Sequence, residues 1–470
     1  MGAAGTLEWW CPLDFGATPL FTRRRDPRGR ALRVGPAGAP PAGEQAWARD
    51  GVVLRTLLPA PEGVAELVDF LPWAGPGVLP TGRIVRIATV LSGVVDLAVE
   101  VLGGGPDVVF SSGLGIGGAV ISTGLPVMDG VAGARLQAGD RVVVTVDPPG
   151  RRGEPLSVEA AEDLRQRTEG AWRAHLAQLA FDGFHAERAR RSLLTLATLT
   201  QASTGALVRS PVEPVCRLLD VARAAALEAD LGLFDEAALR RRWLSEVLED
   251  GEPPLPAASD LDGDPVEGDD GVPRASLAAY VALVDAVRPD RRGGEPAGPA
   301  LWDGLYRVGD WLAGDWAEAS TVPDDLAAWY VLDRLATWEA AEDPLSPEAL
   351  AWRRAAARLE EWLPEGFPEA PAEPALLRAA WLGPWAGTPD PAGRLVQRVL
   401  DHWADDDGAN EPAAAAPRFA AVEALSALGR WDEAHARMEA VLADPAADDL
   451  SAVTQLSLVA AAVALSAGPR

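Results

Sequence analysis

Two hydrophobic rhythms divide this chain. From Thr6 to Asp147, short apolar runs are cut by Gly, Pro and Asp: TLEWWC, GVVLRTLLP, GVAELVDFLP, GRIVRIATVL, GVVDLAVEVL, DVVFSS, GAVIST and DRVVVTVDP. Several alternate apolar and polar positions, the period of a half-buried antiparallel strand. Turn signals recur about every eight to twelve residues with no helical stretch between them, which a parallel sheet would require. Residues 1–150 are therefore expected to form an antiparallel β-sandwich domain.

After the polar break Arg151-Arg152-Gly153-Glu154-Pro155 the period changes to that of a helix. Ser157 is placed to N-cap a helix running to Leu179, so residues 151–185 read as a linker helix. Beyond Phe184 the sequence predicts helices near 187–203, 212–231, 235–249, 274–288, 299–315, 322–341, 346–363, 373–383, 391–405, 415–429, 431–443 and 449–467. Short Gly, Pro and Asp links make neighbours antiparallel, and twelve helices in hairpins suit a two-layered (α/α)6 barrel over residues 186–470. The acidic, Pro-rich segment 253–270 reads as an exposed loop. The fold class is thus multidomain β plus α.

The helical part turns on one stretch, PVCRLLDVARAAALEADLGLFDEA, from Pro214 to Ala237. Leu218, Leu219, Val221, Ala222, Ala225 and Leu231 recur at helical spacing, Gly232 stops the run, and Asp235 stands where a second helix needs its N-cap. Asp220 lies among Leu218, Leu219 and Val221. A carboxylate in such company has a partner or faces a cleft.

Composition narrows the function. The 470 residues are 48% hydrophobic, enough for more than one large core, and the net charge of −27 argues against nucleic acid or anionic membrane as a partner. The chain contains no lysine. Cys11 and Cys216 are the only thiols, too few for a disulfide framework and suited to a reducing compartment, so a cytoplasmic location is expected. The N-terminus has no secretory pattern, and no apolar run reaches the roughly 20 residues of a membrane span. His175, His185, His402 and His435 form no spaced pair for zinc. Asp260, Asp262 and Asp264 alternate around Gly263 as in a calcium loop, but the closing Glu is missing. No metal or cofactor is expected. The basic run Arg23-Arg24-Arg25, with Arg28 and Arg30, reads as a solvated turn.

Several segments together resemble glycoside hydrolase family 15, the glucoamylase-like and bacterial trehalase-like enzymes. Ser203-Thr204-Gly205-Ala206-Leu207 is similar to the family's Pro-Thr-Gly-Ala-hydrophobic segment. Cys216-Arg217-Leu218-Leu219-Asp220 is similar to its Cys-Trp-Leu-Arg-Asp helix start, and Leu231-Gly232 with Asp235-Glu236-Ala237 to its Leu-Gly-x-x-x-Glu-Ala turn. In the first third, Gly5-Thr6-Leu7-Glu8-Trp9-Trp10-Cys11-Pro12 resembles the family's opening, Gly63 to Pro72 its Asp-Phe-Met-Pro strand, and Arg83 to Gly93 its Val-Arg-x-Val strand. The resemblance implies the same β-sandwich and (α/α)6 barrel. It also implies an α-glucoside or oligosaccharide as ligand, with Asp220 and Trp329 as sugar-binding residues.

The catalytic parts depart from the pattern. Inverting glycosidases need a protonated carboxyl and an ionised one about 6.5–9.5 Å apart. The flanks of the family's acid segment are present as Trp311-Leu312 with Trp316 and as Ala328-Trp329-Tyr330-Val331-Leu332-Asp333-Arg334. Between them stands AEASTVPDD, with no Trp-Glu pair; Glu318, Asp324 and Asp325 are its acids. The base loop between Gly429-Arg430-Trp431-Asp432-Glu433-Ala434 and the last helix is likewise shortened, and the family's sugar-gripping Arg-Asp has become Leu219-Asp220. The expectation is a catalytically degenerate protein that keeps α-glucoside binding. The alternatives are an active inverting hydrolase using relocated acids, Glu318 or Asp324 with Asp220, and a protein-interaction scaffold.

Overall fold

The computed structural model describes residues 1–2, 4–12, 14–38, 43–48, 51–75, 82–151, 155–179, 181–249, 251–267, 275–287, 298–314, 322–366, 391–404, 414–444 and 451–466. The chain divides into two compact units, Met1–Gln178 and Leu179–Arg470.

The first unit holds β1 (Thr6–Leu7), β2 (Ala31–Pro36), β3 (Glu44–Trp47), β4 (Leu54–Ala60), β5 (Gly63–Phe70), β6 (Ile84–Leu102), β7 (Val108–Phe110), β8 (Gly113–Ile116), β9 (Ala119–Thr123), β10 (Val127–Met128), β11 (Val131–Gln137), β12 (Arg141–Asp147) and α1 (Val158–Leu176). All these strands join one antiparallel sheet, as the alternating pattern predicts, with a main path β3-β4-β5-β6-β12-β9-β8-β7. Its spine is β6. The two runs that read as separate strands, GRIVRIATVL and GVVDLAVEVL, are one 19-residue strand passing through Ser92-Gly93. The first half of β6 pairs with β5 and β12, and the second half with β2 and β11. Side chains from both halves, Ile84, Ala88 and Val90 with Val95, Leu97 and Val99, enter a single apolar cluster.

β12 shows why its sequence does not alternate. Val142, Val144 and Val146 enter that cluster, while Val143 enters a second one with Val85, Ile87 and Phe70, completed by Ala161 of α1. A strand covered on both faces reads as a continuous apolar run. The segment read as a linker helix thus packs on the sheet. Ser157 Oγ accepts from Ala160 N at 3.2 Å, an N-cap worth about 1 kcal/mol, and Trp172 stacks on Trp73 with ring centroids 3.9 Å apart.

The second unit is helical: α2 (Ala186–Thr198), α3 (Leu218–Asp230), α4 (Phe234–Glu249), α5 (Leu277–Val287), α6 (Pro299–Gly314), α7 (Val322–Glu342), α8 (Pro347–Gly366), α9 (Pro391–Ala404), α10 (Ala415–Ala427), α11 (Trp431–Leu442) and α12 (Ala452–Ser466). The helix expected at 373–383 lies outside the described residues. α3 packs against α4, α5 and α12; α5 packs on α7; α12 packs on α2 and α10; α4 packs on α6, and α6 on α8. α5 and α12 are buried along most of their length, so their sequences are apolar all round.

Two expectations need correction. The helix predicted over 212–231 begins only at Leu218, because Pro214 lacks an N–H and disfavours helix in the residue before it. Cys216–Arg217 (β13) instead pairs with Ala258–Ser259 (β14). Segment 253–270 is accordingly no free loop over its described part. Leu255 is buried with its N–H on Tyr280 OH at 2.7 Å, and Leu261 O accepts from Trp243 Nε1 at 3.2 Å.

Candidate functional site

The α3–α4 hairpin is held at both ends. At its turn, Gly232 takes φ +84°, Gly232 N donates to Ala229 O, and Leu233 N donates to Glu228 O, so the last carbonyls of α3 are satisfied. At its start, Arg240 of α4 ties down the Ser-Thr-Gly-Ala segment. Its Nη1 donates to Gly205 O at 2.9 Å, and its Nη2 to Thr200 Oγ1 at 2.7 Å and to Glu228 Oε1 at 3.1 Å. Arg240 and Glu228 are both fully buried. Burial raises the Glu228 pKa, and the Arg240 guanidinium opposes that rise. The pair is an internal clamp that joins the last turns of α3 to α4 and, through Arg240, to the 200–205 segment, while Cys216 pairs separately with Ser259.

Asp220 sits in the first turn of α3, only 2% exposed. Its Oδ2 has no hydrogen-bond partner among the described residues. Burial pushes its pKa up, against the pull of Arg223, Arg217 and Arg209. Such a shift extends the pH range over which the carboxyl keeps its proton.

Along α3 runs a cleft of about 170 Å³, shared with α5, α10 and α12. Its walls are small or aliphatic, including Ala226, Ala282 and Ala460 with Leu219 and Leu456. Four ionisable residues face it: Arg223, Asp230, Asp285 and Glu423. Arg223 Nη2 donates to Glu423 Oε1 at 3.3 Å, and Nη1 donates to Ser457 Oγ at 3.4 Å. Tyr330 OH of α7 donates to Asp285 Oδ1 at 2.7 Å. Polar groups thus meet at the junction of α3, α10 and α12, and again at the junction of α5 and α7.

The structure distributes the sequence candidates as follows. Asp220 and Trp329 do not line the cleft; Asp220 is buried beside it in sequence from the lining Leu219, and Trp329 is half-buried on α7. Asp324 is half-buried and Asp325 fully buried in the first turn of α7, where the helix dipole favours acids, and both are already engaged by other groups. Glu318 lies outside the described residues. Sequence reasoning missed Arg223, Asp285 and Glu423. The signal was available for two of them, since Asp285 and Glu423 are single acids inside helices that are otherwise apolar around them.

Among the described residues no group of three or more His, Cys, Asp or Glu is arranged to hold a metal ion. In the calcium-like loop, Asp260 Oδ1 accepts from Asp262 N and Asp264 N at 2.9 and 3.0 Å, folding the acid onto its own turn. No helix among the described residues is long and apolar enough to cross a membrane.

No family model and no curated protein matches the chain. Among solved structures, it is similar to a bacterial glucoamylase complexed with acarbose, with a TM-score of 0.60 and 10% identity over 99% of this chain and 94% of that one. A wild-type glycosidase aligns at TM-score 0.48 and 16% identity, over 63% of this chain and 99% of that one. A reducing-end-xylose-releasing exo-oligoxylanase complexed with xylose aligns at TM-score 0.40 and 13% identity, over 61% and 94% of the two chains. The first likeness shows that this chain has a glucoamylase-like fold.

Proposed function

We propose that this protein is a glycoside hydrolase family 15-like chain, a β-sandwich domain (1–150) followed by a linker segment (151–185) that holds α1 and an (α/α)6 barrel (186–470), that binds α-glucosides without hydrolysing them. The neighbour pattern of the helices supports the barrel: α3, α5 and α7 follow one another, α12 links α3 to α10, and α4, α6 and α8 form a second series.

One observation carries the loss of hydrolysis. Cleavage needs a proton-bearing carboxyl and an ionised one facing each other across the sugar. Glu423 is taken up by Arg223 and Asp285 by Tyr330, while Asp324 and Asp325 belong to a helix start. In the sequence, the acid-bearing and base-bearing loops are both shortened. Incubation with trehalose, maltose and maltooligosaccharides is expected to release no glucose, while acarbose or maltose raises the melting temperature. Absence of any sugar-induced shift would remove the binding half of this reading.

A second reading rests on Asp220, a buried carboxyl with no hydrogen-bond partner on Oδ2 among the described residues and a raised pKa, features a general acid needs. Glucose release that Asp220→Asn abolishes would establish an active hydrolase and overturn the first reading.

A further inference from the structure

The first unit carries a feature that sugar binding does not use. Between Thr22 and Arg30 stand five arginines and one aspartate in nine residues, within a chain of net charge −27. The loop is closed on itself: Arg25 N and Asp26 N donate to Thr22 O at 2.9 and 3.0 Å, Gly29 N to Asp26 O at 2.7 Å, and Thr22 N to Arg30 O at 2.9 Å. Asp26 turns its carboxylate onto Arg28 N at 2.9 Å, and Arg30 pairs with Asp107 at 2.6 Å. That leaves Arg24, Arg25 and Arg28 exposed, with no side-chain hydrogen bond or ion pair among the described residues. Arg23, half-buried beside them, keeps a buried Nε without a partner.

The contrast with the rest of the sheet is what needs explaining. Arg33, Arg55, Arg83, Arg86, Arg135 and Arg141 each reach a carboxylate. In a protein with 69 acidic residues against 42 basic ones, three neighbouring arginines, Arg24, Arg25 and Arg28, that meet no acid among the described residues are poorly accounted for by solvation alone.

We propose that the Thr22–Arg30 loop is a docking site for a compact phosphate-bearing anion, either inorganic or a phosphate ester. Guanidinium groups grip phosphate oxygens in pairs, and three forks on a loop fixed by its own backbone bonds offer such grips without reorganising the chain. Size decides against longer polyanions. Charges are screened beyond about 8 Å at physiological salt, so a small anion on the loop feels the arginines, whereas a nucleic acid would also lie against the acidic surface.

Calorimetric titration of the full-length protein with sodium pyrophosphate and with glucose 6-phosphate tests this. Saturable binding of at least one of them is expected, weakening with added salt. The R24Q/R25Q/R28Q variant should weaken it by about tenfold or more with an unchanged melting temperature, because the three side chains are exposed. Arg151→Gln, an exposed arginine outside the loop, should leave it intact. Should the triple variant fold poorly, Arg25→Glu alone is expected to weaken binding. No binding of either anion, binding indifferent to these loop variants, or tighter binding of a single-stranded oligonucleotide than of pyrophosphate at physiological salt would each overturn the proposal.

Discussion

Arg223 of α3 and Glu423 of α10, 200 positions apart in the chain, meet at 3.3 Å on the wall of the cleft. Glu423 is 5% exposed, whereas the Arg223 side chain keeps 19% of its surface. Removing either partner therefore has unequal consequences. Arg223→Ala takes the guanidinium away from a buried acid and is expected to cost about 3 kcal/mol, while Glu423→Gln leaves Arg223 with Ser457 and solvent and should cost about 1 kcal/mol. Urea unfolding of the two variants checks the order. Equal losses would mean that the pair contributes little beyond packing.

Asp220 has the opposite problem, a buried carboxyl whose Oδ2 accepts no hydrogen bond among the described residues. Its folded pKa lies above the usual 3.8 because burial disfavours the charge. The folded state then holds its proton more tightly than the unfolded chain, so stability is fully present below 3.8 and declines as pH rises toward the folded pKa. Asp220→Asn, which cannot ionise, is expected to flatten that decline and to be at least as stable as the parent at pH 7. Denaturation midpoints measured from pH 4.5 to 8 decide it, and a variant less stable at pH 7 would contradict the assignment.

Gly205 holds φ +86°, and a Cβ there would stand 2.2 Å from Leu239 O. Backbone cannot step aside as a side chain can, and Gly205 O is also the acceptor for Arg240. Gly205→Ala is expected to lose about 3 kcal/mol or more, combining left-handed strain with disruption of the buried clamp. Thermal unfolding reads the loss directly.

The two thiols should react at very different rates. Cys216 is buried between Val208 and Ser259, and burial pushes its pKa up to about 12. Cys11 is half-buried and its thiol is raised also, by the same cause. At pH 8 a thiol reagent is expected to label Cys11 slowly and Cys216 only after denaturation, because the thiolate is the reacting form. Mass spectrometry of the native, labelled chain would locate the adduct, and modification of Cys216 without unfolding would show that the β13–β14 pairing opens.

Much of the architecture was legible from periodicity. Alternation in LRTLL marks a strand with Leu54, Thr56 and Leu58 inward and Arg55 and Leu57 outward, and the described helices, apart from the end of α2 and the start of α3, fall within about three residues of the expected places. The start of α3 was misplaced because Pro214 acts locally, while the partner that draws Cys216 into a β-pair lies over forty residues away.

The sequence by itself determined the type and order of most elements and the change of period after Pro155, because these depend on neighbours within a turn or two. Only the tertiary structure decided which acids keep company with which bases: Glu228 with Arg240, Glu423 with Arg223, and Asp220 with no partner on one oxygen among the described residues. Burial and pairing between packed helices set the surroundings of each carboxyl. No local pattern encodes the encounter of residues brought together only when the helices pack.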